Sequence, residues 1–183
     1  DGERWQTFTA ANSDLGSDWI SALAVDAQGQ LWCGTWGHGV SLLADGRWQT
    51  YNTGNSRLPS DYVTAVAAGP DGSFWVGLHG QGVARLRNGS WTFITTSEGL
   101  ADDFVTALAP LPDGGVWVGT GKGLAHLDRE GRVLQAYTTR DGLPDDQVEA
   151  LAVDGGRLWV GTARGAGLLE GDRWQVYRGR ATL

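Results

Sequence analysis

Apolar and polar positions along this chain fall into short bursts of strand-like alternation separated by turn residues. From position 19 an apolar stretch, WISALAV, leads through the turn DAQGQ into LWCGT. A glycine-rich loop, then GVSLL, the turn ADGR and a final WQTY complete the unit. The same order returns three times, with first stretches YVTAVAA, FVTALAP and QVEALAV and second stretches FWVGL, VWVGT and LWVGT. Alternation with Asp- and Gly-bearing turns predicts strands joined by tight hairpins, and no segment carries the 3.6-residue period of an amphipathic helix.

The repeat has a clear length. A Trp-x-Gly signature recurs at Trp32-Gly34, Trp75-Gly77, Trp117-Gly119 and Trp159-Gly161, in steps of 43, 42 and 42 residues. A unit of this size cannot bury its own apolar faces and must stack on copies of itself. Four short strands per unit predict an all-β fold, a β-propeller with four four-stranded blades, strand a nearest the axis and strand d at the rim. The expected blades span about 15–51, 58–94, 100–137 and 143–177 within a single propeller domain or segment of 1–183. The opening DGERWQTF repeats the rim pattern EGDRWQVY of 170–177, so a surplus rim strand is expected over 1–8. Five d strands against four copies of a, b and c suggest a longer array, or a homodimer in which two chains complete a larger propeller.

Composition narrows the functions. The chain has 183 residues, 41% hydrophobic and 19% charged, with 29 glycines spread among the turns. A net charge of −7 argues against nucleic acid as partner, because neutralising phosphates needs clustered Lys and Arg. No apolar run approaches the roughly 20 residues that span a bilayer, and no signal-peptide pattern is present. With no methionine, the chain is expected to begin inside a longer reading frame, any targeting segment lying outside it. The single cysteine, Cys33, takes the register held by Val76, Val118 and Val160 and reads as a small core residue.

A unit of the form GL(P/A)DD.V.AL....G.LWVGT..GL resembles the two-component regulator propeller repeat. It is fullest at 142–151 with 158–162 and at 99–108 with 117–124, and extends over essentially the whole chain. That resemblance implies an extracytoplasmic (periplasmic or secreted) sensor region of a bacterial hybrid histidine kinase or related regulator. It also implies an array of more than four blades. It does not specify a ligand, because the shared residues are those that make the blade.

Residues common to every copy read as structure, and those that break the repeat as candidates for function. Eight of ten tryptophans belong to the repeat: Trp32, Trp75, Trp117 and Trp159 on strand b, Trp5, Trp48, Trp91 and Trp174 on strand d, with Leu134 in that place in the third blade. Asp18, Asp61, Asp103 and Asp146 precede strand a in each copy and are expected to bond backbone amides of their own turns rather than a metal. His126, on strand c, reads as structural. The repeat-breaking set is Trp19, Tyr62 and Phe104 before strand a, Trp36 and His79 sharing a position in the b-to-c loop, and His38 with Arg164 sharing another. The d-to-a and b-to-c loops of a propeller open on one face, so these seven would form an aromatic and mixed-polar channel mouth suited to a ligand.

No nucleophile elbow, phosphate loop or metal-ligand spacing occurs, and no cofactor is expected. The reading is a non-enzymatic β-propeller that binds a small molecule, a saccharide or another protein at the channel mouth. The alternative is an assembly module that oligomerises through strand exchange. A lyase or hydrolase using His38 or His79, with Glu149 as a nearby carboxylate, carries the weakest signal because a catalytic base needs its nucleophile within hydrogen-bond reach.

Overall fold

The computed structural model describes residues 5–179. Each repeat folds into one antiparallel four-stranded sheet. The first comprises β1 (Ile20–Val25), β2 (Leu31–Thr35), β3 (Val40–Ala44) and β4 (Arg47–Tyr51), and the second β5 (Val63–Ala68), β6 (Phe74–Leu78), β7 (Val83–Arg87) and β8 (Ser90–Ile94). The third comprises β9 (Val105–Pro110), β10 (Val116–Thr120), β11 (Gly123–Leu127) and β12 (Val133–Tyr137), and the fourth β13 (Val148–Asp154), β14 (Arg157–Thr162), β15 (Gly165–Glu170) and β16 (Arg173–Tyr177). Local chemistry accounts for the hairpins. Asp45-Gly46 and Asn88-Gly89 have φ of 50 and 74 and of 49 and 74, both central residues in the left-handed region, as a two-residue turn matched to strand twist requires.

The sheets stand in a row, strand a of each packed on strand a of the next (β1 on β5, β5 on β9, β9 on β13). Three apolar clusters fill the gaps between consecutive sheets. Trp32 lies with Phe74 and Val76, Trp75 with Val116 and Val118, and Trp117 with Leu158 and Val160. The close approach depends on the strand-b glycine: a Cβ on Gly34, Gly77 or Gly119 would lie 2.6, 2.5 or 2.5 Å from Cγ1 of Val63, Val105 or Val148 in the following blade. Strand a bulges at its second residue in every blade, placing Ser21, Thr64, Thr106 and Glu149 at equivalent kinks.

The row is open. Leu23 and Val25 on the outer face of the first sheet are 61% and 63% exposed, and Ala150 and Ala152 on the outer face of the last are exposed too. All four sheets are formed as the pattern predicts.

Two details differ from the sequence-based expectation. Of the rim strand expected over 1–8, residues 1–4 lie outside the described residues, and 5–8 form no strand and pair with none among the described residues. Trp5 is accordingly fully exposed rather than packed in a blade. In the third blade the rim tryptophan's place belongs to Val133, not Leu134. A bulge pairs Leu127 with Val133, as Leu43 pairs with Trp48 and Leu86 with Trp91, and leaves Leu134 60% exposed. The longer DREGR turn displaces the register by one residue, which reverses the side of the sheet a side chain faces.

Candidate aromatic binding face

The loops that carry the repeat-breaking residues are tied to one another by backbone bonds. Trp36 N–H donates to the Trp19 carbonyl and His79 N–H to that of Tyr62, each within a blade. Gly37 and Gly39 N–H both donate to the Asp61 carbonyl, and Gly82 N–H to that of Asp103, each across to the next blade. The b-to-c loop of one blade is thereby held against the entry to strand a of the next. Trp36 forms a bridge with Tyr62 and His79 with Phe104.

The side chains follow this path as a continuous row. Ring centroids lie 6.4 Å apart from Trp19 to Trp36, 5.3 Å from Trp36 to Tyr62, 5.3 Å from Trp36 to His79 and 4.6 Å from His79 to Phe104. The last three contacts are edge-to-face, the arrangement ring quadrupoles favour. Trp19, Tyr62 and Phe104 nevertheless keep 68%, 49% and 38% of their surface in water. Five of the seven predicted site residues are thus contiguous across three blades.

His38 and Arg164 are not part of that row. His38 is exposed beside it. Arg164 sits in the last blade, where its Nε lies 3.1 Å from Asp145. The register repeats in the third blade, where Lys122 Nζ lies 3.3 Å from Asp102. In the first two blades Ser17 and Ser60 replace the acids and cap the amides of Trp19 and Tyr62. The face is divided: aromatic over the first three blades, ion-paired over the last two. Exposed pairs of this kind contribute little stability and leave the charges available to solvent.

The repeated aspartates are structural. Asp18, Asp61, Asp103 and Asp146 each accept a backbone N–H, from Ala10, Thr53, Thr96 and Thr139, at 2.6, 2.7, 2.7 and 2.6 Å. No group of three or more metal-ligating side chains occurs among the described residues. His126 stacks on Trp117 with centroids 4.4 Å apart, and burial holds its ring below the usual histidine range against the pull of Asp113 and Asp128. The His79 ring is held edge-on between Trp36 and Phe104, and neither it nor His38 makes a side-chain hydrogen bond among the described residues. Depressions in the surface lie at the rim between Tyr51, Arg57 and Trp91 and beside Phe8. The row is an exposed shelf of rings.

No helix among the described residues is long and apolar enough to cross a membrane. No curated protein sequence matches the chain. The two component regulator propeller family model matches residues 14–37 and 99–122, the entries to the first and third blades. Among solved structures, an extracellular domain described as belonging to a hybrid two component system of B. thetaiotaomicron is 21% identical. It covers 100% of this chain and 25% of its own, with a TM-score of 0.73. A second extracellular domain from that organism, described as a one component system, is 15% identical over 96% of this chain and 28% of its own, with a TM-score of 0.75. A catalytically inactive virginiamycin B lyase from Staphylococcus aureus with quinupristin is 16% identical over 88% of this chain and 56% of its own, with a TM-score of 0.69. The chain thus spans about a quarter of the length of the first two, and at these identities the likeness establishes the fold. The chain is an all-β propeller, two stretches of which match the two component regulator propeller model.

Proposed function

We propose that the chain is a non-enzymatic recognition propeller from the extracytoplasmic sensor region of a bacterial regulator, with the aromatic row as its binding face. The observation that carries this reading is the row itself. Trp19, Trp36, Tyr62, His79 and Phe104 are contiguous and solvent-facing, at registers where the fourth blade holds Gln147 and Ala163. A shelf of ring faces and edges suits a flat amphipathic ligand, and a saccharide, with an apolar C–H face and a polar rim, has that shape. The repeat family and the two-component extracellular domains that share the fold support a sensor role. Signalling would require the ligand to favour one of two arrangements of the larger protein.

The test is titration of the chain with glucose-, galactose- and xylose-based oligosaccharides, followed by tryptophan emission. A saturable change, reduced about tenfold or more in apparent affinity by Trp36→Ala, is expected. An unchanged response in Trp36→Ala and Trp19→Ala would remove the row as the site. An assembly role would use a different surface, the outer faces of the first and last sheets. The lyase reading has no observation in its favour beyond the fold it shares with a lyase.

A further inference from the structure

The geometry points to a docking surface for a second copy of this chain, formed by the outer faces of the first and last sheets. Each internal blade junction uses the same knob and socket. A β-branched residue at the start of strand a enters the space over the strand-b glycine of the preceding blade: Val63 over Gly34, Val105 over Gly77, Val148 over Gly119. All three valines are fully buried.

One knob and one socket are left over. At Gly161 a Cβ would meet only Ala150 of its own blade, at 3.4 Å or more, so among the described residues the space over the glycine is empty. At the other end Ile20 holds the knob register, β-branched like its three counterparts, and is 36% exposed. The surroundings of both halves are unmatched in the same way. Trp32, Trp75 and Trp117 are 6%, 0% and 9% exposed, whereas Trp159 is only half-buried. Ala65 and Ala67 are buried against the third blade, whereas their counterparts Ala150 and Ala152 are exposed. On the opposite face Leu23 is 61% exposed, while its counterpart Val66 is 9% exposed.

A second copy fits because the chain itself carries both halves of a contact it makes three times. Ile20 of the second copy enters over Gly161, and its Leu31 reaches Trp159 as Leu158 reaches Trp117. The contact is heterologous, one face on each copy, and two copies can satisfy both pairs of faces head to tail. Tyr177 would then approach Trp48 of its neighbour at the place Phe8 now occupies, so docking displaces residues 5–8 from the rim. This surface is separate from the aromatic row, and its test reads mass rather than fluorescence.

The experiment is sedimentation of the 183-residue chain and of two single variants. Gly161→Val fills the socket but leaves the knob; Ile20→Asp charges the knob but leaves the socket. The wild-type chain is expected at twice the chain mass at about tens of micromolar, and each variant alone at the chain mass, with affinity weakened on the order of tenfold or more. Mixing the two variants is expected to recover a pair through the one intact contact. Circular dichroism establishes that the variants fold. If Ile20→Asp unfolds, Leu23→Asp on the same exposed face replaces it. A wild-type chain that stays at the chain mass would overturn the proposal, leaving those faces to some other occupant. So would variants that associate like the wild type, or a mixture that recovers nothing.

Discussion

Phe8 packs edge-on against Trp48, ring centroids 5.5 Å apart and planes at 74°. The same relation joins Tyr51 to Trp91, at 6.2 Å and 72°, and Tyr137 to Trp174, at 5.7 Å and 77°. In those two cases the last residue of a rim strand covers the rim tryptophan of the following blade. Phe8 therefore occupies the rim register of a blade ahead of the first, although its own segment forms no strand. Phe8→Ala is expected to lower stability by about 0.5–1.5 kcal/mol beyond the lost burial, while Trp5→Ala, at a fully exposed ring, changes little. Equal urea midpoints for the two variants would show that the contact contributes nothing.

The strand-b glycines differ in what surrounds them, and their substitutions should differ accordingly. Gly77→Ala and Gly119→Ala drive a methyl to 2.5 Å from a valine of the next blade and are expected to cost about 1–3 kcal/mol through overpacking. In the single chain Gly161→Ala meets only Ala150 at 3.4 Å, so at concentrations well below the pairing range it is expected within about 0.5 kcal/mol of the parent. Denaturant unfolding of the three variants orders them; a Gly161→Ala cost equal to the others would contradict the empty socket.

Cys33 is 3% exposed, and burial pushes its thiol up to about 11. At neutral pH the group is a thiol rather than the reactive thiolate. Ellman's reagent is expected to leave the native chain unmodified over the time in which it titrates one thiol in denaturant. Rapid labelling of the folded chain would show that the strand-b core opens locally.

Acid should weaken the fold in two stages. Burial beside Trp117 holds His126 below its usual 6.5, so the folded chain favours the neutral ring and binds fewer protons than the unfolded chain. That contribution is complete above about pH 6.5 and is lost as pH falls through the lower folded value. Burial alone would raise Asp71, but hydrogen bonds from the Ser73 hydroxyl and amide, with the charges of Arg87 and Arg85, hold it below 3.8. Its contribution is present above about pH 4 and disappears below that. His126→Phe keeps the stacking, so it is expected to flatten the decline in urea midpoint that sets in below about pH 6.5 and leave the lower stage intact. A parallel decline in the variant would assign the first stage to other groups.

Most of the blade was legible because its determinants are local. Two-residue alternation, Asp-Gly and Asn-Gly turns and the Trp-x-Gly signature specify strands and hairpins within about 40 residues of sequence. Where reading failed, the cause was not local. Leu134 looked like a rim residue by spacing, but a bulge one strand away passed that place to Val133. Residues 5–8 looked like a strand by composition, but a strand exists only with a partner for its backbone. At the candidate site, subtracting the repeat identified the five aromatic-row residues. It could not separate Arg164, because pairing with Asp145 depends on how two loops of one blade approach.

By itself the sequence determined that this chain makes four copies of one four-stranded unit and which residues of each copy are exceptional. Periodicity and turn chemistry are written along the chain and need no long-range contact to be read. Only the tertiary structure decided that five exceptional side chains form one row and that the acids beside them pair with Lys122 and Arg164. It also decided that the fourfold knob and socket is satisfied three times and left open once, between Ile20 and Gly161. The reason is physical. A blade's faces are equivalent in sequence, and what distinguishes them is which neighbour each one meets.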